Sequence, residues 1–281
     1  MAAHSTPQMP GAYYQPGPSW WPLIGSLGLL CLAGGFALLL NRHPAGSWLM
    51  PAGAGILVGM LFGWFGNVIR ESLAGAYNRQ VDHSYRWGMA WFIFSEVMFF
   101  AAFFGALFYA REVASGLLLK SGLLWPNYTA AWPSAGPGSR EAFTPMEAWG
   151  IPAINTAILL SSGATVTWAH WGLVKARRGQ LKLGLLFTIL LGATFLVLQA
   201  WEYGHAAFSI KTGIYGATFF MLTGFHGLHV TLGVVMLTVI FGRALAGHFS
   251  PNHHFAFEAV SWYWHFVDVV WLLLFVFVYW L

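Results

Sequence analysis

Charge is what this sequence has least of. Asp, Glu, Lys and Arg make up 8% of its 281 residues, against about a quarter in soluble globular domains. With 58% hydrophobic and 18% aromatic residues, that deficit excludes a water-soluble domain and points to helices that live in lipid. There is a single cysteine, Cys31, inside an apolar run. It excludes an internal disulfide and argues against a thiolate metal site. Lys and Arg are missing from residues 1–19, which are rich in Pro, Gly and Tyr. That stretch reads as a poorly ordered tail rather than a cleavable signal peptide. No internal repeat is visible, which argues against a transporter built of two matched halves. The net charge of +4 reflects loop residues that orient membrane helices and gives no sign of a nucleic-acid partner.

What the sequence does have is long apolar runs. Seven are long enough to span a bilayer: 20–40, 48–69, 87–109, 149–174, 183–210, 212–242 and 259–281. The expected fold is an all-α membrane protein with seven transmembrane helices. Four of the runs open on Trp, a side chain that favours the membrane interface. The fifth and sixth are divided only near Lys211, so a tight turn is expected over 209–213. Eight of the thirteen Lys and Arg residues fall on the side that holds the amino terminus. The positive-inside rule then puts the amino terminus in the cytoplasm and the carboxyl terminus outside. Between the second and third runs, residues 70–86 read as a polar link, and residues 112–148 as a long outer loop. The loop ends in Thr144-Pro-Met-Glu147, a pattern that resembles a capping box launching the fourth helix. Asn127-Tyr-Thr129 is a formal glycosylation triplet, which carries no weight if the source is bacterial.

The third run holds one charge, Glu96, with Phe92, Ile93, Phe99, Phe100 and Phe103 on the neighbouring helix positions. An ionisable group inside a bilayer costs about 2.5–3.5 kcal/mol on insertion scales, so it is expected to pair or to act. At 1.5 Å per residue, Glu96 lies about 14 Å from the cytoplasmic side, His265 and Asp268 about 9 and 14 Å, and His229 about 20 Å, with His226 one turn further. These five residues can share a belt. Glu202, at about 28 Å, and His205 belong near the outer surface.

His226-Gly-Leu-His229 and His265-Phe-Val-Asp268 have the i, i+3 spacing that puts two ligands on one helix face. With Glu96 they offer a nitrogen and oxygen set suited to iron, zinc or copper. The competing reading is interhelical hydrogen bonding, because lipid offers polar groups no other partner. Di-metal carboxylate sites in helix bundles use several carboxylates and Glu-x-x-His, and neither is present. For Glu96 the structural reading is a neutral acid hydrogen-bonded to a histidine such as His229; the functional alternative is a proton relay. His248, His253 and His254 fall in a cytoplasmic loop that reads as a solvated turn or a proton-collecting cluster. Arg70, Arg86 and Arg243, at cytoplasmic helix ends, are placed to hold phospholipid head groups or to set topology.

Three stretches carry a family resemblance: Phe94-Ser-Glu-Val-Met-Phe-Phe100, Gly224-Phe-His-Gly-Leu-His-Val230 and Trp262-Tyr-Trp-His-Phe-Val-Asp-Val-Val-Trp271. They resemble the signatures of subunit III of the haem-copper cytochrome c oxidases. The likeness extends to Trp21-Pro-Leu, Val68-Ile-Arg-Glu-Ser72, Thr167-Trp-Ala-His170 and Asn252-His-His-Phe255. The resemblance implies a supporting subunit with no catalytic residue and no metal of its own, with haem and copper in partner subunits I and II and cytochrome c met only through the complex. It implies a two-helix bundle over 20–69 and a five-helix bundle over 87–281, splayed in a V with phospholipid in the cleft. Glu96 matches the family's carbodiimide-reactive glutamate, and Glu71, Arg86, Arg243 and His248 match positions that contact lipid head groups. The loop over 112–148 departs from the mitochondrial pattern by its length. Seven helices favour a cytochrome c oxidase over the quinol oxidases, whose subunit has five. The abundance of Gly and Ala suits a bacterial source and hence the cytoplasmic (inner) membrane. The remaining reading from a different class is an intramembrane metal enzyme built on His226, His229, His265 and Asp268.

Overall fold

A computed structural model describes residues 13–122, 124, 128, 131–137 and 143–281. Most of the tail, Asn127 and Thr129 of the glycosylation triplet, and Arg140 lie outside the described residues. The chain is an all-α membrane protein. Its long helices are α1 (Trp21–Leu40), α2 (Gly46–Leu73), α3 (Arg79–Phe108), α5 (Ile151–Val174), α6 (Arg178–His205), α7 (Ile214–Leu245) and α8 (Phe255–Leu274). A π-helical segment, Tyr109–Ala114, joins α3 to the short α4 (Ser115–Lys120), and another, Phe275–Trp280, extends α8. No strand occurs among the described residues.

Six of these helices, all but α5, are long and apolar enough to cross a membrane on their own account. The 24 residues of α5 measure about 36 Å at 1.5 Å per residue, so length is not its shortfall. Its apolar character is diluted by hydroxyls, many of which bond back to their own helix. Thr156 Oγ1 donates to the Pro152 carbonyl at 2.8 Å, Ser161 Oγ to Ala157 at 2.7 Å and Thr167 Oγ1 to Gly163 at 2.9 Å.

Several helix limits differ from the sequence expectation. The polar link expected over 70–86 is mostly helix, and only 74–78 lies between α2 and α3. Polar residues can continue a helix beyond its apolar run when the new end is capped. Asn78 Oδ1 does this, accepting from the Val81 amide at 3.0 Å, with Asp82 in the first turn of α3. The outer loop begins after Lys120 rather than at 112. Thr144-Pro-Met-Glu147 does not cap α5, which starts at Ile151 after Gly150 without a side-chain cap and with Pro152 in its first turn. The stretch is instead held against α7, where Phe143 stacks on Tyr215 (5.1 Å between centroids) and Tyr215 OH accepts from the Met146 amide at 3.3 Å. The expected turn between the fifth and sixth spans is present: the Thr212 amide donates to the Ser209 carbonyl at 2.9 Å. It hands over to α7 through Gly213, whose φ of 99° is in the region that favours glycine.

The chain divides into two compact units, with the boundary between Tyr85 and Arg86. In the first, α1 and α2 pack through glycines. A Cβ on Gly46 would lie 2.5 Å from the Leu39 amide nitrogen, and one on Gly35 or Gly53 would collide with the backbone of Met50 or Leu32. Small residues of this kind let membrane helices approach backbone to backbone. In the second unit the packing centre is Trp264 of α8, fully buried. A Cβ on Gly192 of α6 or Gly233 of α7 would come within 2.7 Å of its ring. Its Nε1–H donates to Ser162 Oγ of α5 at 2.9 Å. One side chain thus ties four helices together.

Candidate functional site: an intramembrane polar belt

Glu96 and His229 meet across α3 and α7, with Glu96 Oε2 2.9 Å from His229 Nε2. Phenylalanine rings close around the pair. Phe100 lies 4.9 Å and Phe99 5.8 Å from the imidazole, and Tyr263 stacks on it at 6.4 Å. Tyr263 OH also donates to the His229 carbonyl at 3.3 Å. Glu96 is not wholly enclosed, since 21% of its side-chain surface stays exposed against 11% for His229.

The second imidazole nitrogen settles how many protons the pair holds. Nδ1 of His229 lies 2.7 Å from the Phe225 carbonyl. A carbonyl only accepts, so Nδ1 carries a hydrogen. The contact between Nε2 and Oε2 then needs one proton. Either the carboxylic acid donates to a neutral ring, or an imidazolium donates to a carboxylate. Both arrangements hold one proton between the two atoms.

The other belt residues face elsewhere. His226 is 1% exposed and donates through Nε2 to the Val267 carbonyl at 3.2 Å, beside the Trp271 ring at 5.2 Å. His265 Nδ1 is 3.6 Å from Asp268 Oδ2, and its Nε2 is 3.3 Å from Thr167 Oγ1 on α5. Gly163 makes room for Asp268, whose carboxylate occupies the place a Cβ would take. The four residues of the alternative metal reading, His226, His229, His265 and Asp268, do not gather their ligand atoms at one point. An i, i+3 spacing leaves two side chains about 60° apart around a helix; here His226 and His229 reach different helices, while His265 and Asp268 stay beside each other. Among the described residues, the His and carboxylate atoms that come close enough for one cation are those of His170, His254 and Glu258.

Of the residues expected to meet lipid head groups, Glu71 and Arg86 pair with protein side chains, whereas Arg243 Nε and His248 Nδ1 are buried without a hydrogen-bond partner among the described residues. Glu71 Oε2 accepts from Tyr77 OH at 2.8 Å, and Tyr77 packs edge-on against Tyr14 and Tyr85. Burial, then the hydrogen bonds with Tyr85 and Glu71, pushes the Tyr77 phenol well above the usual tyrosine range. In the second unit Arg86 donates to Glu258 Oε2 from Nη2 at 2.7 Å and from Nε at 3.1 Å. The Arg243 guanidinium lies 4.7 Å from the Phe249 ring centre, and the His248 amide donates to the Arg243 carbonyl at 3.0 Å. His205 is exposed. Glu202, one turn from the end of α6, is only 3% exposed, a burial the sequence reading missed. Depth along a helix says nothing of its azimuth. The available signal was Gln199, one turn before Glu202 on the same face and also buried.

Comparison with known proteins agrees with this architecture. A family model for cytochrome c oxidase subunit III matches residues 12–281. The chain is similar to cytochrome c oxidase subunit 3 of Dugong dugon, 43% identical over 270 residues, covering 96% of this chain and 97% of the relative. It is likewise similar to subunit 3 of Marchantia polymorpha, 43% identical over 264 residues and 94% of each chain. The Homo sapiens protein of the same name is 43% identical over 272 residues, 96% of this chain and 97% of the relative. The chain belongs to the cytochrome c oxidase subunit III family.

Proposed function

We propose that the chain is a non-catalytic core subunit of a proton-pumping aerobic terminal oxidase. It packs beside a subunit I that reduces oxygen and a subunit II that receives electrons from cytochrome c, and it carries no redox centre itself. Its work is to stabilise subunit I, to keep proton uptake efficient on the cytoplasmic side and to hold phospholipid. The observation that carries the reading is the match to the family along residues 12–281. The donor chemistry supports it as well. Glu96 Oε2 and both His229 ring nitrogens are taken up by each other and by the Phe225 carbonyl, as in an interhelical clasp.

Glu71, Arg86, Arg243 and His248 are the proposed head-group contacts. Of the cations, Arg243 suits this best, because its guanidinium stacks on the Phe249 ring face and its Nε–H has no acceptor among the described residues. The membrane is a bacterial cytoplasmic membrane, with the amino terminus inside and the carboxyl terminus in the periplasm. The support for that orientation is the eight-to-five division of Lys and Arg.

The test is an oxidase purified with and without this chain. The expected result is an initial oxygen-reduction rate within about a factor of two of the complete enzyme, a change of less than about 0.4 kcal/mol in barrier, followed by faster loss of activity during turnover. Abolition of oxygen reduction from the first cycles would overturn the reading.

A further inference from the structure

His170, His254 and Glu258 lie apart from the belt and are not among the proposed lipid contacts. His170 stands one turn before the end of α5, His254 immediately precedes α8 and Glu258 is in the first turn of α8. One ligand atom from each lies within 4.8 Å of the other two.

Each group is held with its donor atom turned inward. His254 Nδ1–H donates to the Ser250 carbonyl at 3.0 Å, which fixes the ring and leaves Nε2 facing Glu258 Oε1 at 3.1 Å. Glu258 divides its oxygens: Oε2 takes both Arg86 contacts, so Oε1 is the one presented. The His170 ring lies 5.6 Å from the His254 ring and is supported by Phe257 at 5.3 Å. An imidazole lone pair and a carboxylate oxygen at such a distance repel unless a positive centre stands between them. A proton meets that need for two of the residues; a metal ion meets it for all three.

We propose that His170, His254 and Glu258 form a binding site for a divalent transition-metal ion of the zinc class. Two imidazoles and a carboxylate are the ligand set of zinc sites that keep a fourth position for water. Magnesium and calcium prefer all-oxygen surroundings. The backbone carbonyl on the far nitrogen of His254 and the guanidinium on the far oxygen of Glu258 are outer-shell partners that orient the ligands. All three residues are part-buried, none of them sealed from the surface. A bound ion would pin the end of α5 to the start of α8. This goes beyond the oxidase reading and does not depend on it.

The test titrates the full-length chain, in the detergent-solubilised assembly it purifies with, with Zn2+ alone. Bound zinc is counted after free metal is removed, and its X-ray absorption spectrum is recorded. Wild type should hold one zinc per chain more than His254→Ala or His170→Ala. His253→Ala, altering the exposed neighbour, should bind like wild type. Glu258→Gln should weaken binding about tenfold or more. The spectrum should show two imidazole nitrogens at about 2.0–2.1 Å. If His254→Ala fails to assemble, His170→Gln decides the matter, because His170 makes no hydrogen bond through its ring among the described residues. Equal zinc content and affinity in wild type and in the His170 variants overturns the site, as does a spectrum with a single imidazole.

Discussion

The Glu96 carboxyl and the His229 imidazole stand 2.9 Å apart, and the Phe225 carbonyl on the other ring nitrogen leaves one proton for the two of them to share. The pair is therefore neutral as a unit whichever atom holds the proton. A neutral, hydrogen-bonded pair is the form in which such groups are tolerated in lipid.

Glu96→Gln should preserve this clasp, because an amide N–H can donate to Nε2 where the acid did. Glu96→Ala should break it. Polar interhelical pairs in membrane proteins average about 0.6 kcal/mol, with a maximum near 1.7, so the coupling from a double-mutant cycle of Glu96→Ala and His229→Ala should be about 1 kcal/mol. Reversible unfolding in mixed detergent measures it. A coupling of zero, or a Glu96→Gln variant as unstable as Glu96→Ala, would contradict the shared proton.

Gly53→Ala should destabilise the α1–α2 pair by about 1–3 kcal/mol through overpacking, since the added carbon meets the Leu32 backbone. Gly55→Ala is the control. Nothing lies within 4 Å of its added carbon, and alanine favours the helix by about 1 kcal/mol. Thermal inactivation of the purified assembly compares them, and equal loss in both would show that the glycines do not act through close approach.

Trp264→Ala should cost about 3–5 kcal/mol, the range for emptying a large aromatic site. Trp264→Phe should cost less, keeping much of the ring contact with Gly192 and Gly233 while losing the hydrogen bond to Ser162. Recovery of assembled protein at rising temperature ranks the two. A Trp264→Ala variant as stable as wild type would remove Trp264 from the centre of the packing.

Tyr77 supplies a pH signature outside the membrane spans. Its phenol is raised above the ordinary value of 10.0, chiefly by burial. The folded chain therefore keeps the proton that the unfolded chain loses above pH 10. Stability from this group is complete below pH 10 and falls as pH rises past it. Tyr77→Phe should flatten that decline and reduce phenolate absorbance only in the unfolded protein. A steeper decline in the variant would reverse the sign.

Much of this architecture is legible from apolar run length alone, because a helix in lipid must satisfy its backbone internally. The turn before Gly213 is legible for the same reason, since Lys211 cannot sit mid-membrane. Axial depth also brings Glu96 and His229 within reach, and they touch. What depth omits is rotation about the helix. His226 and His229 differ by one turn yet serve α8 and α3, and Glu202 turns inward near the end of α6. Polar helix ends are hidden too. The apolar run ends well before Asn78 caps α3, and Thr144-Pro-Met-Glu147 is used for packing on Tyr215 instead of for capping. The meeting of His170 with His254 and Glu258 joins residues more than 80 positions apart through packing that no local pattern encodes.

The most direct measurement is to purify the full chain in mild detergent and record the visible spectrum and metal content of what comes with it, then strip it from its partners and repeat. A haem and copper signal that accompanies the assembly and leaves with the partners is the expected result for a supporting oxidase subunit. Haem, or stoichiometric iron or copper, remaining on the stripped chain would contradict it.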